Sequence, residues 1–390
     1  MKSYPVANRL EQLPPYLFVE LDRLKSAALA RGEDVINLGI GDPDQPTPPI
    51  IIDALREAAA DGRNHQYPSG AGLPDFREAV ASYYQRTRGV QLDAATEVCA
   101  LIGSKEGIGH FPLAFVNPGD VVMFPEPGYP VYRSSTIFAG GEPYVMPLLA
   151  ENDFLPDLDA IPDDIYSRAK VMILNYPNNP TAAFATREFF EQAIAKANEH
   201  NFIILHDAAY LDMTYTEKRA ISFLEIPGAR EVGLEMHSLS KTFNMTGWRV
   251  AFAAGNPSLI KGLLSVKANL DSGVFNAIQR AGIVALNNFE KLLPPTLEIY
   301  KDRLEAVDAG IRDLGWSGYK RPDGTFYVWL PVPGQRSSQE MTRELIEKCA
   351  IVTTPGLGFG QEGEGYFRLA LTTSSDRIAM AFQRLKAAGF

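Results

Sequence analysis

Cysteine is scarce: in 390 residues there are two, Cys99 and Cys349, with no CxxC pair. That excludes a disulfide framework and points to a reducing compartment. Positive charge is also in deficit. The 37 Lys and Arg against 47 Asp and Glu leave a net charge of −10, which argues against nucleic acid or an anionic membrane as the main partner. No apolar run has membrane-spanning length, and the opening Met1-Lys2-Ser3-Tyr4-Pro5 lacks the apolar centre of a secretory leader, so a soluble cytoplasmic protein is expected. Histidine is rare, and His200 and His206 are separated by a strand-like segment rather than a helical turn, so no metal site is expected.

Apolar residues, by contrast, are plentiful at 46%, enough to bury a large core in a chain that should make two lobes. Short apolar runs alternate with amphipathic stretches, as in βαβ units. Residues 98–102, 121–124, 171–174, 202–205 and 250–254 read as strands. Arg187 to Glu199 reads as a helix behind a Thr186 N-cap. The pattern predicts an α/β fold, a mostly parallel central sheet with helices on both faces. From about Ala281 it changes to a long helix followed by separate strands at 326–330 and 366–371, which suggests a smaller α+β domain at the C-terminal end. The Pro-rich stretch Asp42 to Pro49 reads as a linker.

Common nucleotide and hydrolase motifs fail. Gly39-Ile40-Gly41 begins like a dinucleotide fingerprint, but Asp44 takes the third glycine position, and Pro43 and Pro46 oppose a helix start. GxxxxGK[ST], HExxH and GxSxG are absent.

The most informative run is Ser238-Leu239-Ser240-Lys241-Thr242-Phe243-Asn244-Met245-Thr246-Gly247-Trp248-Arg249, preceded by Asp207-Ala208-Ala209-Tyr210. An amine, a buried carboxylate, a phenol and a hydroxyl with a guanidinium match the four needs of pyridoxal 5'-phosphate (PLP). Lys241 would join the aldehyde, Asp207 would pair with the ring nitrogen, Tyr210 would bond the ring oxygen, and Ser238 with Arg249 would hold the phosphate. Asp207 and Tyr210 follow an apolar strand, the place where open α/β sheets bind ligands. An ordinary lysine pKa of roughly 10.4 must fall, through burial or a nearby cation, before the amine can attack.

These residues resemble the active-site region of the fold-type I, class I/II PLP-dependent aminotransferases, and the order of motifs agrees from about Leu13 to Ala387. Tyr176-Pro177-Asn178-Asn179-Pro180-Thr181 resembles that family's Asn-Pro-Thr turn, which implies that Asn179 contacts the ring oxygen and the substrate carboxylate. Gly103-Ser104-Lys105 resembles its phosphate turn at a helix N-terminus, giving roles to Ser104 and Lys105. In Pro127-Gly128-Tyr129-Pro130, Tyr129 would stack on the cofactor, and in Tyr366-Phe367-Arg368 the arginine would clamp the substrate α-carboxylate. The resemblance further implies a homodimer in which Tyr67 reaches the partner's phosphate, with 1–44 an N-terminal arm joining the small domain, 45–285 the large cofactor domain and 286–390 the small domain.

Motifs including Leu13-Pro14-Pro15-Tyr16-Leu17-Phe18, Gly39-Ile40-Gly41-Asp42-Pro43 and His206-Asp207-Ala208-Ala209-Tyr210 are most similar to the branch of that family acting on LL-diaminopimelate. That likeness implies substrate contacts from Tyr16, Gly41 and Asn276. Some members of the branch carry a glutamate in the turn after the residue matching Tyr67. Here the turn reads Tyr67-Pro68-Ser69-Gly70-Ala71-Gly72. Aminotransferases for aspartate, alanine, methionine or aromatic amino acids are the alternative. A carbon–sulfur lyase or racemase on the same scaffold and a non-catalytic PLP-binding regulator come after them.

Overall fold

The strands are β1 (Ile36–Asn37), β2 (Val98–Leu101), β3 (Val121–Glu126), β4 (Glu142–Pro147), β5 (Ala169–Asn175), β6 (Ile203–Asp207), β7 (Gly233–Ser238), β8 (Ala251–Gly255), β9 (Tyr327–Pro331), β10 (Ile351–Val352), β11 (Thr354–Pro355) and β12 (Tyr366–Ala370). They are those of a computed structural model that describes residue 2, residues 4–13 and residues 18–390.

The central sheet has the order β2-β8-β7-β6-β5-β3-β4. It is parallel from β7 to β4, and β8 runs antiparallel to both its neighbours. Successive residues go to opposite sides. Val121, Met123, Met172 and Leu174 join one apolar cluster, while Val122, Phe124, Val171 and Ile173 join the other. Burial on both faces is why these strands read as continuous apolar runs rather than alternating ones. Helices cover both sides, among them Arg187–His200, whose Thr186 hydroxyl accepts from the Phe189 amide at 3.1 Å and which buries 189, 190, 193, 194 and 197 as its period requires.

A second sheet, β11-β12-β9, is antiparallel and packs with the helices Phe289–Leu314, Ser338–Cys349 and Ser375–Ala387 around a separate apolar cluster. Ile36 and Leu38 belong to that cluster too, and β1 pairs in parallel with β10. The chain passes from one core to the other near Asn288: Ala281, Ala285 and Leu286 pack under the central sheet, whereas Leu293 and Tyr300 pack in the second cluster. Asp44, in the proline-rich stretch, is gripped by both terminal nitrogens of Arg303 at 2.6 and 2.7 Å. Among the described residues no helix is long and apolar enough to cross a membrane.

Within the central sheet, two strands lie outside the apolar runs that mark its other five. β4 is a largely exposed edge strand, and β7 is fully buried yet carries Glu235, His237 and Ser238. Glu235 is satisfied by residues on other elements: it accepts from the Tyr84 hydroxyl at 2.7 Å and lies 2.8 Å from His206 Nδ1.

Candidate active site

Five parallel strands deliver their carboxyl ends to one side of the sheet, and a cavity of about 1090 Å³ opens there. Asp207 is the last residue of β6, so the strand itself places its carboxylate at the cavity floor. The Tyr132 hydroxyl donates to Asp207 Oδ2 at 2.8 Å, the Ala209 amide to Oδ1 at 3.3 Å, and Asn175 Nδ2 holds the Asp207 carbonyl at 2.8 Å. Burial pushes the Asp207 carboxyl above its usual range, while the Tyr132 hydrogen bond pulls it down.

Lys241 sits on a single helical turn, Leu239–Thr242, capped by Ser238, whose hydroxyl accepts from the Ser240 amide at 3.2 Å. Its Nζ donates to the Gly41 carbonyl at 3.2 Å. Burial lowers the Lys241 pKa to about 8; Asp42 opposes the shift, and Arg368 and Arg249 add to it. The neutral amine that the chemistry needs is thus made accessible by the fold.

The helix Ser104–Phe115 begins at the cavity with Gly103 as N-cap, and Ser104 and Lys105 line the wall. Gly103 has φ +76°, and a Cβ there would lie 2.2 Å from Arg249 Nη2, so only glycine lets the guanidinium approach. Ser238, Ser240 and Arg249 line the same end, and the buried Ser240 Oγ has no hydrogen-bond partner. Amides at a helix start, three hydroxyls, an ammonium and a guanidinium form a set suited to a phosphate dianion.

At the other end Arg368, on β12, donates through Nη1 to Asn179 Oδ1 and through Nη2 to the Gly39 carbonyl, both at 2.8 Å. Its guanidinium carbon lies 4.1 Å from the Tyr327 ring centre and 4.7 Å from that of Phe359, and its Nε is buried without a partner. Tyr210 shares a 3.0 Å hydrogen bond with the Tyr327 hydroxyl, and burial raises the Tyr210 pKa. Asn179 is fixed by its amide, which donates to Asn175 Oδ1 at 2.9 Å. Tyr129 lines the wall with Lys105 Nζ 5.7 Å above its ring.

The fold therefore gathers Gly41, Ser104, Lys105, Tyr129, Asn179, Asp207, Tyr210, Ser238, Lys241, Arg249 and Arg368 around one cavity. It does not bring Tyr67 or Asn276 there. Tyr67 is 90% exposed, and Asn276 is buried at the start of the helix Asn276–Asn287 beside Gln279. Tyr16 lies outside the described residues. Sequence reasoning missed Tyr132, Ser240, Tyr327 and Phe359. Tyr132 and Ser240 stand within three residues of chosen ones and were within reach, whereas nothing local marks Tyr327 or Phe359.

The donor set fits PLP on two observations: Ser240 Oγ and Arg368 Nε are both buried without partners, and both residues line the cavity that also holds the depressed-pKa Lys241. These features and the sheet define a PLP-dependent enzyme of the α/β transferase type. The chain belongs to the class I and II aminotransferases, whose family model matches residues 33–385. It is 54% identical over 388 residues to the LL-diaminopimelate aminotransferase of Syntrophobacter fumaroxidans, covering 100% of both chains. To the enzyme of that name from Maridesulfovibrio salexigens it is 53% identical, over 99% of each chain. Among solved structures, substrate-bound BacF from Bacillus subtilis superposes with a TM-score of 0.94 at 36% identity, over 99% of this chain and 98% of that one.

Proposed function

We propose that this chain is an LL-diaminopimelate aminotransferase, in which glutamate gives its amino group to tetrahydrodipicolinate to yield LL-diaminopimelate on the route to lysine. The full-length identity to relatives of that name carries the reading. PLP, when bound, supplies an aldehyde and a protonated ring that takes up electrons from the substrate carbon. Asp207 would pair with the ring nitrogen, whose cation would draw the buried carboxyl back to its ionised form. Lys241 Nζ takes the proton from the substrate α-carbon. Burial and the neighbouring arginines lower its pKa to about 8, which brings the amine far closer to its neutral form near pH 7 than an ordinary lysine. Tyr210 and Asn179 would hold the ring oxygen, and Ser104, Lys105, Ser238, Ser240 and Arg249 would hold the phosphate. Arg368 receives the α-carboxylate shared by both amino acids.

The same reading takes the enzyme as a cytoplasmic homodimer in which Tyr67 completes the partner's phosphate site. A tyrosine 90% exposed in its own chain supports this, because burying such a ring on a neighbour is favourable. The two separate apolar clusters support a large domain over residues 45–285 and a small one formed by 1–44 with 286–390. The test is a coupled assay of the purified protein with LL-diaminopimelate and 2-oxoglutarate, beside aspartate, alanine, methionine and phenylalanine. A clear preference for LL-diaminopimelate is expected; a higher kcat/KM for any of the others overturns the substrate assignment.

A further inference from the structure

Lys267 is the one fully buried lysine among the described residues, and nothing in the reaction above uses it. It stands on the helix Pro257–Leu270, packed against the helix Ser104–Phe115 so closely that a Cβ on Gly262 would lie 2.3 Å from the Phe115 ring. Its Nζ lies 3.1 Å from both oxygens of Glu106 and 3.4 and 3.2 Å from those of Asp271. His110 Nδ1 lies 2.7 Å from Glu106 and 3.7 Å from Asp271. With the lysine ammonium already between the two carboxylates, this is an ion-pair cluster and not an open cation site.

What each carboxylate holds gives the cluster its meaning. Glu106 Oε2 accepts from the Ile102 amide at 2.9 Å, and the Glu106 amide donates to the Gly103 carbonyl at 3.1 Å, so this side chain closes the turn that presents Ser104 and Lys105 to the phosphate end of the cavity. Asp271 Oδ1 accepts from the Gly273 amide at 2.8 Å. Gly273 has φ +81°, and a Cβ on it would lie 2.8 Å from the Ser69 carbonyl oxygen and 3.4 Å from Pro68 Cγ. The turn that carries Tyr67 therefore rests on the Gly273 turn.

We infer that Lys267 is a positioning residue for cofactor retention: its ammonium ties the phosphate turn of its own site to the turn that bears Tyr67. This rests on the phosphate-end assignment above. Without the ammonium, two neighbouring carboxylates repel, and the hydrogen bonds they accept from the Ile102 and Gly273 amides loosen together. One cluster thus keeps two phosphate-binding segments in register, one for each site if Tyr67 serves the partner.

The experiment compares holoenzyme of the natural chain with Lys267→Met and Lys267→Arg, reading PLP release by absorbance and hydrogen exchange at the Ile102 and Gly273 amides. Lys267→Met is expected to release cofactor on the order of tenfold faster or more and to exchange both amides faster. KM for glutamate at saturating PLP should stay unchanged, because the Arg368 end is untouched, and Lys267→Arg should restore much of the retention. Unchanged release and exchange in a folded Lys267→Met protein overturns the inference, as does an increase in glutamate KM matching the loss of retention. Should Lys267→Met not fold, Asp271→Asn, which keeps an acceptor for Gly273 but loses the charge, must speed release by itself, and no change there overturns it too. Failure of the substrate assignment would leave these cofactor readouts untouched.

Discussion

Arg368→Met is the perturbation that most sharply separates binding from folding. Arg368 is 4% exposed, stacked between Tyr327 and Phe359, and hydrogen-bonded to two neutral oxygens, Asn179 Oδ1 and the Gly39 carbonyl. Burial lowers its pKa, so the fold holds a desolvated cation in place without an anion. A substrate carboxylate provides one. Removing the guanidinium leaves that carboxylate buried and unpaired, at about 3–5 kcal/mol, or between about a hundredfold and several thousandfold in kcat/KM. Folding should respond differently, because loss of the desolvated charge offsets the hydrogen bonds that Asn179 Oδ1 and the Gly39 carbonyl give up. The assay is kcat/KM for glutamate and for LL-diaminopimelate beside thermal unfolding of the cofactor-free protein. Both substrates are expected to weaken together while the midpoint holds or rises. Selective loss for one substrate, or a loss of activity explained by a lower midpoint, refutes the shared clamp.

Lys241→Met should stabilise the cofactor-free protein near pH 7. The folded-state pKa of about 8 lies below the ordinary lysine value of 10.5, so the native lysine costs about 3 kcal/mol below pH 8, a cost that vanishes as pH rises to 10.5. The difference in unfolding free energy between the two proteins should therefore shrink across that window; a pH-independent difference would contradict the shift. Tyr132→Phe removes a hydrogen bond that lowers the Asp207 pKa and should cut kcat about tenfold with little change in KM, since a hydrogen bond to a charged group is worth about 1.5–3 kcal/mol. Equal turnover would show that Asp207 needs no such support. Mixing Tyr67→Phe with Lys241→Ala chains should recover activity in the heterodimer if the phenol acts across an interface; a mixture no more active than its parts places Tyr67 outside the partner's site.

Much of the central sheet was legible, because a strand buried on both faces must be apolar throughout, as at 121–124 and 171–174. β7 was not, since Glu235 and His237 are buried against Tyr84, Ser222 and Tyr83, partners on other elements of the fold. The site divides in the same way. Lys241, Asp207 and Asn179 lie in short motifs whose residue types carry their own chemistry. Tyr327 enters only because β9 pairs with β12, setting its strand beside that of Arg368, and the Gly39 carbonyl only because residues 39–41 line the same cavity. Such contacts are made by tertiary packing and leave no local signature.

The central claim is that the amine at the end of β7 is the one that holds the cofactor, and borohydride reduction of the PLP-loaded protein followed by peptide mapping tests it most directly. The cofactor is expected on Lys241, in the peptide running through Ser238 and Arg249. Recovery of the label on another lysine lining the cavity, such as Lys105, or no label after loading, would contradict the account.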